Sequence, residues 1–319
     1  MTIVHPIFLL GCARPAATPD ECSPFPQPKA PRSVSSSPSN PVPANDSSHY
    51  PSHDASDPGN RGDGDGGGDG DGDGDFARRI IVGHSADDAA EKCAAYLAQC
   101  IRERAETSAT VTVAFSGGST PAVMFEHLAQ LAGTGPGGPQ AWWRAVEVLQ
   151  VDERVAPDGD PARNANDLTH RLLEPTHVAM SRRHLMPVLS NTAVQDYEAT
   201  MHGLAPSGID IVVLGLGDDG HTASLVPGDP VVEERGALVA KTGLYKGHTR
   251  VTLTRPCLDA AGLAIWLVTG AGKAKALAKL VAFDQTIPAG LIRTAHQIVF
   301  ADESAANPVD SVRDHGAGT

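Results

Sequence analysis

The chain has 319 residues, 41% of them apolar, and a formal net charge of −13. That length supports one large domain or two ordinary ones with ample buried core. The acidic balance argues against nucleic acid or an anionic membrane surface as partner, because both recruit clustered Lys and Arg. No apolar run approaches the ~20 residues of a membrane-spanning helix, which excludes an integral membrane protein of helical type.

Residues 1–75 hold 12 of the 25 prolines and carry 11 acids against four bases. Pro, Ser, Ala, Asn and Asp dominate, and such a segment cannot offset its ordering entropy, so a disordered tail is expected over 1–75. Gly62 to Asp75 is Gly and Asp alone. It lacks the twelfth-position Glu and flanking helices of an EF-hand loop, and it lacks the apolar residue of a calcium β-roll repeat. It reads as a flexible acidic linker. At the start, Leu9-Leu10-Gly11-Cys12 resembles a lipoprotein cleavage box, but no base precedes the apolar run and Pro6 interrupts it, so the signal-peptide pattern is incomplete.

From Phe76 the pattern changes to alternating strands and helices, expected as one α/β domain over 76–319. Arg79–Val82 and Val111–Phe115 are short β-branched runs. Between them Ala89, Cys93, Tyr96, Leu97, Cys100 and Ile101 recur at helical spacing, with Ser85 placed as N-cap. A second helix is expected over Pro121–Leu131, with Pro121 in its first turn. Further strands fall at Val146–Val151, Ile209–Leu214, Arg250–Leu253, Leu263–Val268 and Gln297–Phe300, separated by helical stretches around 164–173, 192–204 and 272–283. This alternation predicts a doubly wound, mostly parallel sheet with helices on both faces. Ligands of such sheets bind beyond the carboxyl ends of the strands. The five cysteines, at 12, 22, 93, 100 and 257, are odd in number and include no Cys-x-x-Cys. They form neither a disulfide framework nor a zinc ribbon, and they point to a reducing, cytoplasmic compartment.

Four motifs follow expected strands. Ser116-Gly117-Gly118-Ser119-Thr120-Pro121 offers two glycines, two hydroxyls and the free amides of a helix start, which together suit a phosphate. A plain strand–helix turn with Thr120 as N-cap is the simpler alternative, and a serine-nucleophile elbow is disfavoured by Pro121 at its second Gly position. Val151-Asp152-Glu153-Arg154 places three charges where a strand ends, at the mouth of the sheet and not in its core. Gly215-Leu216-Gly217-Asp218-Asp219-Gly220-His221 formally matches a dinucleotide fingerprint, but its aspartates would repel a pyrophosphate. No second His stands at metal-ligand spacing. What remains is His221 presented on a Gly-rich turn beside carboxylates, either as a base able to activate water or as a solvated His capping a helix. Thr269-Gly270-Ala271-Gly272-Lys273 is not a P-loop. A Lys at a helix start is electrostatically unfavourable on its own, so Lys273 points to an anion or, more simply, to solvent. Arg250, opening its own strand, is a lesser candidate of the same kind.

Taken in order, SGGSTP, VDERVAP, the run 215–225, RVTLT and VTGAGKAKAL resemble the glucosamine-6-phosphate isomerase/6-phosphogluconolactonase family, on its lactonase side, over roughly residues 78–302. The resemblance implies a doubly wound α/β fold and hydrolysis of 6-phosphoglucono-δ-lactone in the pentose phosphate pathway, without metal or cofactor. It implies His221 as base and Arg154 and Lys273 as substrate-binding cations. The chemistry of the residues agrees: Gly117, Gly118, Ser119 and Thr120 with Lys273 and Arg250 suit a phosphate, Arg154 and Asp152 the reacting end. The sequence departs from the family pattern at Arg163, Val226 and Arg255. In the deaminases of the family a Glu stands five residues after the His, where this chain has Val226. The expected partner is a small-molecule sugar-phosphate lactone, bound by a monomer or homodimer. An amino-sugar-phosphate deaminase and a non-catalytic sugar-phosphate sensor are the alternatives on the same fold.

Overall fold

A computed structural model describes residues 78–134 and 138–307. The expectations for residues 1–75, Cys12 and Cys22 included, lie outside the described residues.

Strand β1 (Arg79–Gly83) leads into helix α1 (Ala86–Thr107), where Ser85 Oγ accepts the Asp88 N–H at 3.1 Å, the capping expected from the sequence. Then come β2 (Val111–Phe115), α2 (Ser119–Ala132), β3 (Val146–Gln150), β4 (Asp152–Arg154) and the short α3 (Asn164–Leu168). After these follow β5 (Arg183–His184), α4 (Ala193–Leu204), β6 (Ile211–Leu214), β7 (Val239–Lys241), β8 (Arg250–Leu253) and α5 (Arg255–Asp259). The last elements with full bounds are β9 (Leu263–Val268), α6 (Ala274–Val281) and β10 (Gln297–Asp302).

Seven strands form one parallel sheet in the order β1-β10-β9-β6-β2-β3-β5. Its central strands are buried on both sides, which is why their sequences read as continuous apolar runs without alternation. Successive side chains nonetheless point to opposite faces. Val111, Val113, Phe115, Ile211, Val213, Ile265 and Phe300 pack with Leu97 and Ile101 of α1 and Phe125 and Leu128 of α2. Ala114, Val212, Leu214, Trp266, Val268 and Val299 pack on the other face with Tyr197 and Met201 of α4 and Leu277 and Leu280 of α6. Helices therefore cover both faces. Cys93 and Cys100 are buried, free thiols within the α1 layer, and Cys257 is buried on the opposite side.

The chain winds outward from β2 through β3 to β5, and in the other direction from β6 through β9 to β10. The two windings diverge between the neighbouring strands β2 and β6, so the crevice beyond their carboxyl ends is the topological switch point of the sheet. Two expectations need correction here. Arg250–Leu253 does not join the parallel sheet; it is the middle strand of a separate antiparallel sheet, β4-β8-β7. Asp152–Arg154 does not merely follow a strand: it is strand β4 of that second sheet, with Asp152 and Glu153 buried although Asp152 still lines the cleft at the sheet's mouth. Their charge made a strand unreadable: three residues, two of them acidic, look like a turn until hydrogen-bonding partners are known. Among the described residues no helix is long and apolar enough to cross a membrane.

Candidate active site

The switch-point crevice is a cleft of about 340 Å³ lined by Gly117, Gly118, Ser119, Thr120, Asp152, Arg154, His221, Arg250 and Lys273 among others. The structure thus brings together all nine residues singled out in the sequence, from five separate segments of the chain.

The loop after β2 is the floor. Helix α2 begins at Ser119, with Gly118 as a cap that offers no side chain, so neither Ser119 nor Thr120 serves as N-cap and Pro121 is the third helical residue. The Thr120 hydroxyl meets that of Thr269 at 3.2 Å, joining this loop to the one after β9. Gly117 is required for a reason that the sequence did not show. A Cβ there would lie 2.1 Å from Cγ and Oδ1 of Asn164, a cleft-lining side chain that itself donates to the Asp152 carbonyl (3.0 Å) and carboxylate (3.2 Å).

The second sheet supplies the charged wall. Asp152 Oδ2 accepts the Ser224 hydroxyl at 2.6 Å. Burial pushes the Asp152 carboxyl above the ordinary range, against the opposing effects of Ser224 and Arg154. Glu153, with no exposed surface, accepts the N–H groups of Asn164 and Ala165, each at 2.8 Å, so it caps the start of α3 and holds Asn164 against Gly117. Arg154 and Arg250 are register partners across β4 and β8. Burial, then the neighbouring Arg154, lowers the affinity of the Arg250 guanidinium for its proton. The Nε atoms of both arginines are buried without a partner among the described residues. Two like charges side by side with idle donors make a positive wall chemically suited to an anion.

The loop after β6 carries the imidazole. Gly217 makes room for it: a Cβ there would lie 2.0 Å from His221 Nδ1. Asp219 Oδ1 takes His221 Nδ1 at 2.5 Å and the His221 N–H at 3.1 Å, leaving Nε2 without a partner among the described residues. Burial raises the Asp219 carboxyl, but the hydrogen bonds from His221 and from the Tyr245 hydroxyl outweigh it and hold the group below its usual range. No helix begins at His221, which removes the capping alternative. Across the cleft, Lys273 ends a 3-10 turn, Ala271–Lys273, before α6, and lies 3.9 Å from the exposed Asp218. Asp302 at the end of β10 fixes that turn by accepting the Gly270 N–H at 2.9 Å.

Sequence reasoning did not single out Asn164, Ser116 or Tyr245. Asn164 and Ser116 are buried in the cleft, and Asn164 Oδ1 and Ser116 Oγ have no partner among the described residues. Ser116 heads the SGGSTP motif, which was its available signal; nothing in the local sequence marks Asn164 as lining the cleft. Tyr245 opens a tight turn through Lys246 and Gly247, both at positive φ, and that turn was the available signal.

A doubly wound sheet that brings two arginines with idle donors, a lysine and a His–Asp pair to its switch point has the form of an α/β enzyme's ligand crevice. The sequence pattern of the family Glucosamine-6-phosphate isomerases/6-phosphogluconolactonase matches residues 84–300, and the chain belongs to that family. The Homo sapiens 6-phosphogluconolactonase is 32% identical over 243 residues, covering 70% of this chain and 92% of that protein. The Nostoc 6-phosphogluconolactonase is 32% identical over 215 residues, covering 63% and 85%. In fold, the chain is similar to the solved structure of 6-phosphogluconolactonase from Trypanosoma cruzi, with a TM-score of 0.65 and 24% identity over 73% of this chain and 97% of that one.

Proposed function

We propose that the chain hydrolyses 6-phosphoglucono-δ-lactone to 6-phosphogluconate, the lactonase step of the oxidative pentose phosphate pathway. The carrying observation is the chemistry available at the cleft: one oriented imidazole, four cations (Arg154, Lys246, Arg250 and Lys273), and Asp152 as the one carboxylate among the lining residues. The relatives named above support the same reading.

In this reading the substrate phosphate lies against the Gly118–Thr120 amides, Lys273 and Arg250, and the lactone carbonyl lies toward His221 and Arg154. Asp219 holds the Nδ1 proton of His221, so Nε2 presents its lone pair to water. Nε2 takes a proton as water attacks C1, and the tetrahedral oxyanion forms near the Arg154 guanidinium. Collapse restores the C1 carbonyl and breaks the bond to the ring oxygen, which takes the proton back from the imidazolium. The product acid then loses its proton to solvent. One base suffices for this sequence.

Deamination of an amino-sugar phosphate needs further carboxylates for ring opening and proton transfer. Val226 stands where the deaminases carry their additional Glu, and it is buried and apolar. Asp152 is already committed to Ser224 and Asn164.

The test is a lactonase assay on purified protein with freshly generated lactone, corrected for spontaneous hydrolysis. His221→Ala should lower turnover ~10²–10⁴-fold, the usual contribution of a general base, with little change in thermal stability. Ammonia release from glucosamine 6-phosphate should be undetectable. Near-normal turnover in His221→Ala, or robust ammonia release, overturns the proposal.

A further inference from the structure

Tyr245 lies outside every motif through which the chain resembles its family, yet it touches both working halves of the cleft. It stands on the connection between β7 and β8, in a turn closed by reciprocal backbone bonds with His248 at 3.0 and 3.2 Å. Its hydroxyl donates to Asp219 Oδ2 at 2.9 Å, the oxygen not engaged by His221. Its ring meets the imidazole of His221 edge-on, with centroids 5.5 Å apart and planes at 67°. The Arg250 guanidinium carbon lies 4.8 Å from the same ring's centroid, within cation–π range.

We infer that Tyr245 is the positioning residue of this site, one phenol side chain that fixes both the Asp219–His221 pair and the anion-binding Arg250. The physical need is specific. Asp219 sits on a partly exposed turn, and its bonds to His221 alone leave the carboxylate free to swing with the imidazole. A base must hold its lone pair within roughly 0.5 Å and 10–20° of the productive direction. A third bond, from the turn that joins two strands of the second sheet, triangulates the carboxylate and with it Nε2. The ring adds a second constraint, because Arg250 has no hydrogen-bond acceptor for its guanidinium among the described residues and the aromatic face is what it packs against. The phenol is not itself the base: burial and the bond to Asp219 both raise its pKa, so its proton stays on the hydroxyl.

This inference rests on the lactonase reading for its kinetic arm only. Tyr245→Phe keeps the ring and deletes the hydroxyl; Tyr245→Leu deletes both. Tyr245→Phe should lower kcat about 10-fold, less than loss of the base itself, with KM for the phosphorylated lactone within about twofold. It should also move the acidic limb of the kcat/KM profile to higher pH, because an Asp219 relieved of the phenol donor holds the imidazolium more strongly. The groups facing the imidazole are Asp219 and Tyr245, and those facing the phenol are His221, Asp219, Lys246 and Arg250. Tyr245→Leu should add a rise in KM that is absent with unphosphorylated glucono-δ-lactone. A merely structural role moves neither the limb nor the ratio between the two lactones. Independently of any activity, 15N spectra of the His221 ring should show Nδ1 carrying the proton in both proteins, with the ring signals broadened by motion of the Asp219–His221 pair in Tyr245→Phe. An unchanged kcat and limb in Tyr245→Phe, or identical ring spectra in the two proteins, overturns the inference. An inactive wild type with the expected change in ring spectra refutes the lactonase reading and leaves the positioning role standing.

Discussion

Glu153→Gln is the sharpest test of how this cleft is held. The Glu153 carboxylate is buried without exposed surface and meets five donors. Oε1 accepts the N–H groups of Arg154 (2.7 Å) and Asn164 (2.8 Å), and Oε2 accepts Ala165 N–H (2.8 Å) and Gln150 Nε2 (2.9 Å). Arg163 Nε completes the set as an ion pair at 3.2 Å. A glutamine side chain keeps one acceptor oxygen and sets an NH2 group in place of the other. Whichever way the amide turns, at least two backbone or side-chain donors then face a donor inside the protein. Breaking a buried, hydrogen-bonded charge pair in this way costs about 3–5 kcal/mol. In a domain of this size each kcal/mol is worth ~2–4 °C, so the melting temperature should fall by ~6–20 °C. Thermal unfolding followed by near-ultraviolet circular dichroism reads this directly, because Trp143 and Trp266 are both buried. Lactonase turnover should fall as well, since Asn164 and Arg154 are both placed by this carboxylate. A fall of less than ~2 °C, with unchanged kinetics, would refute the claim that Glu153 organises the wall.

Two further outcomes follow from the same geometry. Burial raises the Asp152 carboxyl, so the native state binds that proton more tightly than the unfolded chain, and wild-type stability drops as pH rises from about 4 through the raised value. The melting temperature of Asp152→Asn relative to wild type should therefore increase with pH between about 4 and 7, and a difference that grows on acidification would contradict this sign. Lys273→Ala should lower kcat/KM for the phosphorylated lactone ~10- to 100-fold, the worth of one charge-assisted contact, with a much smaller loss on glucono-δ-lactone. Equal losses on both lactones would exclude phosphate anchoring.

The parallel sheet was legible because its central strands are short apolar runs buried on both faces, and β1, β2 and β9 each lead into a helix with a cap or an apolar stripe. The loops at the carboxyl ends were legible for a related reason: Gly-rich text directly after such a run has few uses besides a turn or a ligand. The second sheet was not. Strand β4 carries two acids and an arginine in three residues, and its strand character comes entirely from β8 across the ladder. Glu153 could not be distinguished from a solvated charge without α3, whose first amides it receives from eleven and twelve residues away. Gly117 read as room for a ligand, whereas the group packed against it is the Asn164 side chain. Tyr245 shows the limit of motif reasoning, since it works through three residues from two other segments of the chain.

The two sheets divide the work in a way that explains the cost built into the second one. The parallel sheet brings the Gly118–Thr120 amides, His221 and Lys273 to one edge simply by its winding, on turns that need little beyond their glycines. The antiparallel sheet breaks such rules. It sets Arg154 directly beside Arg250, although like charges on paired strands repel. It buries Asp152 and Glu153 beneath them and leaves guanidinium donors idle. Asp152 and the ring of Tyr245 offset part of this repulsion but do not use the idle donors. An anion can use both, gaining contact with two desolvated guanidiniums whose desolvation was met during folding. The local breaches of packing and charge rules therefore concentrate at the wall of the cleft, where an anion would relieve them, and the stabilising contacts of Glu153 lie directly beneath.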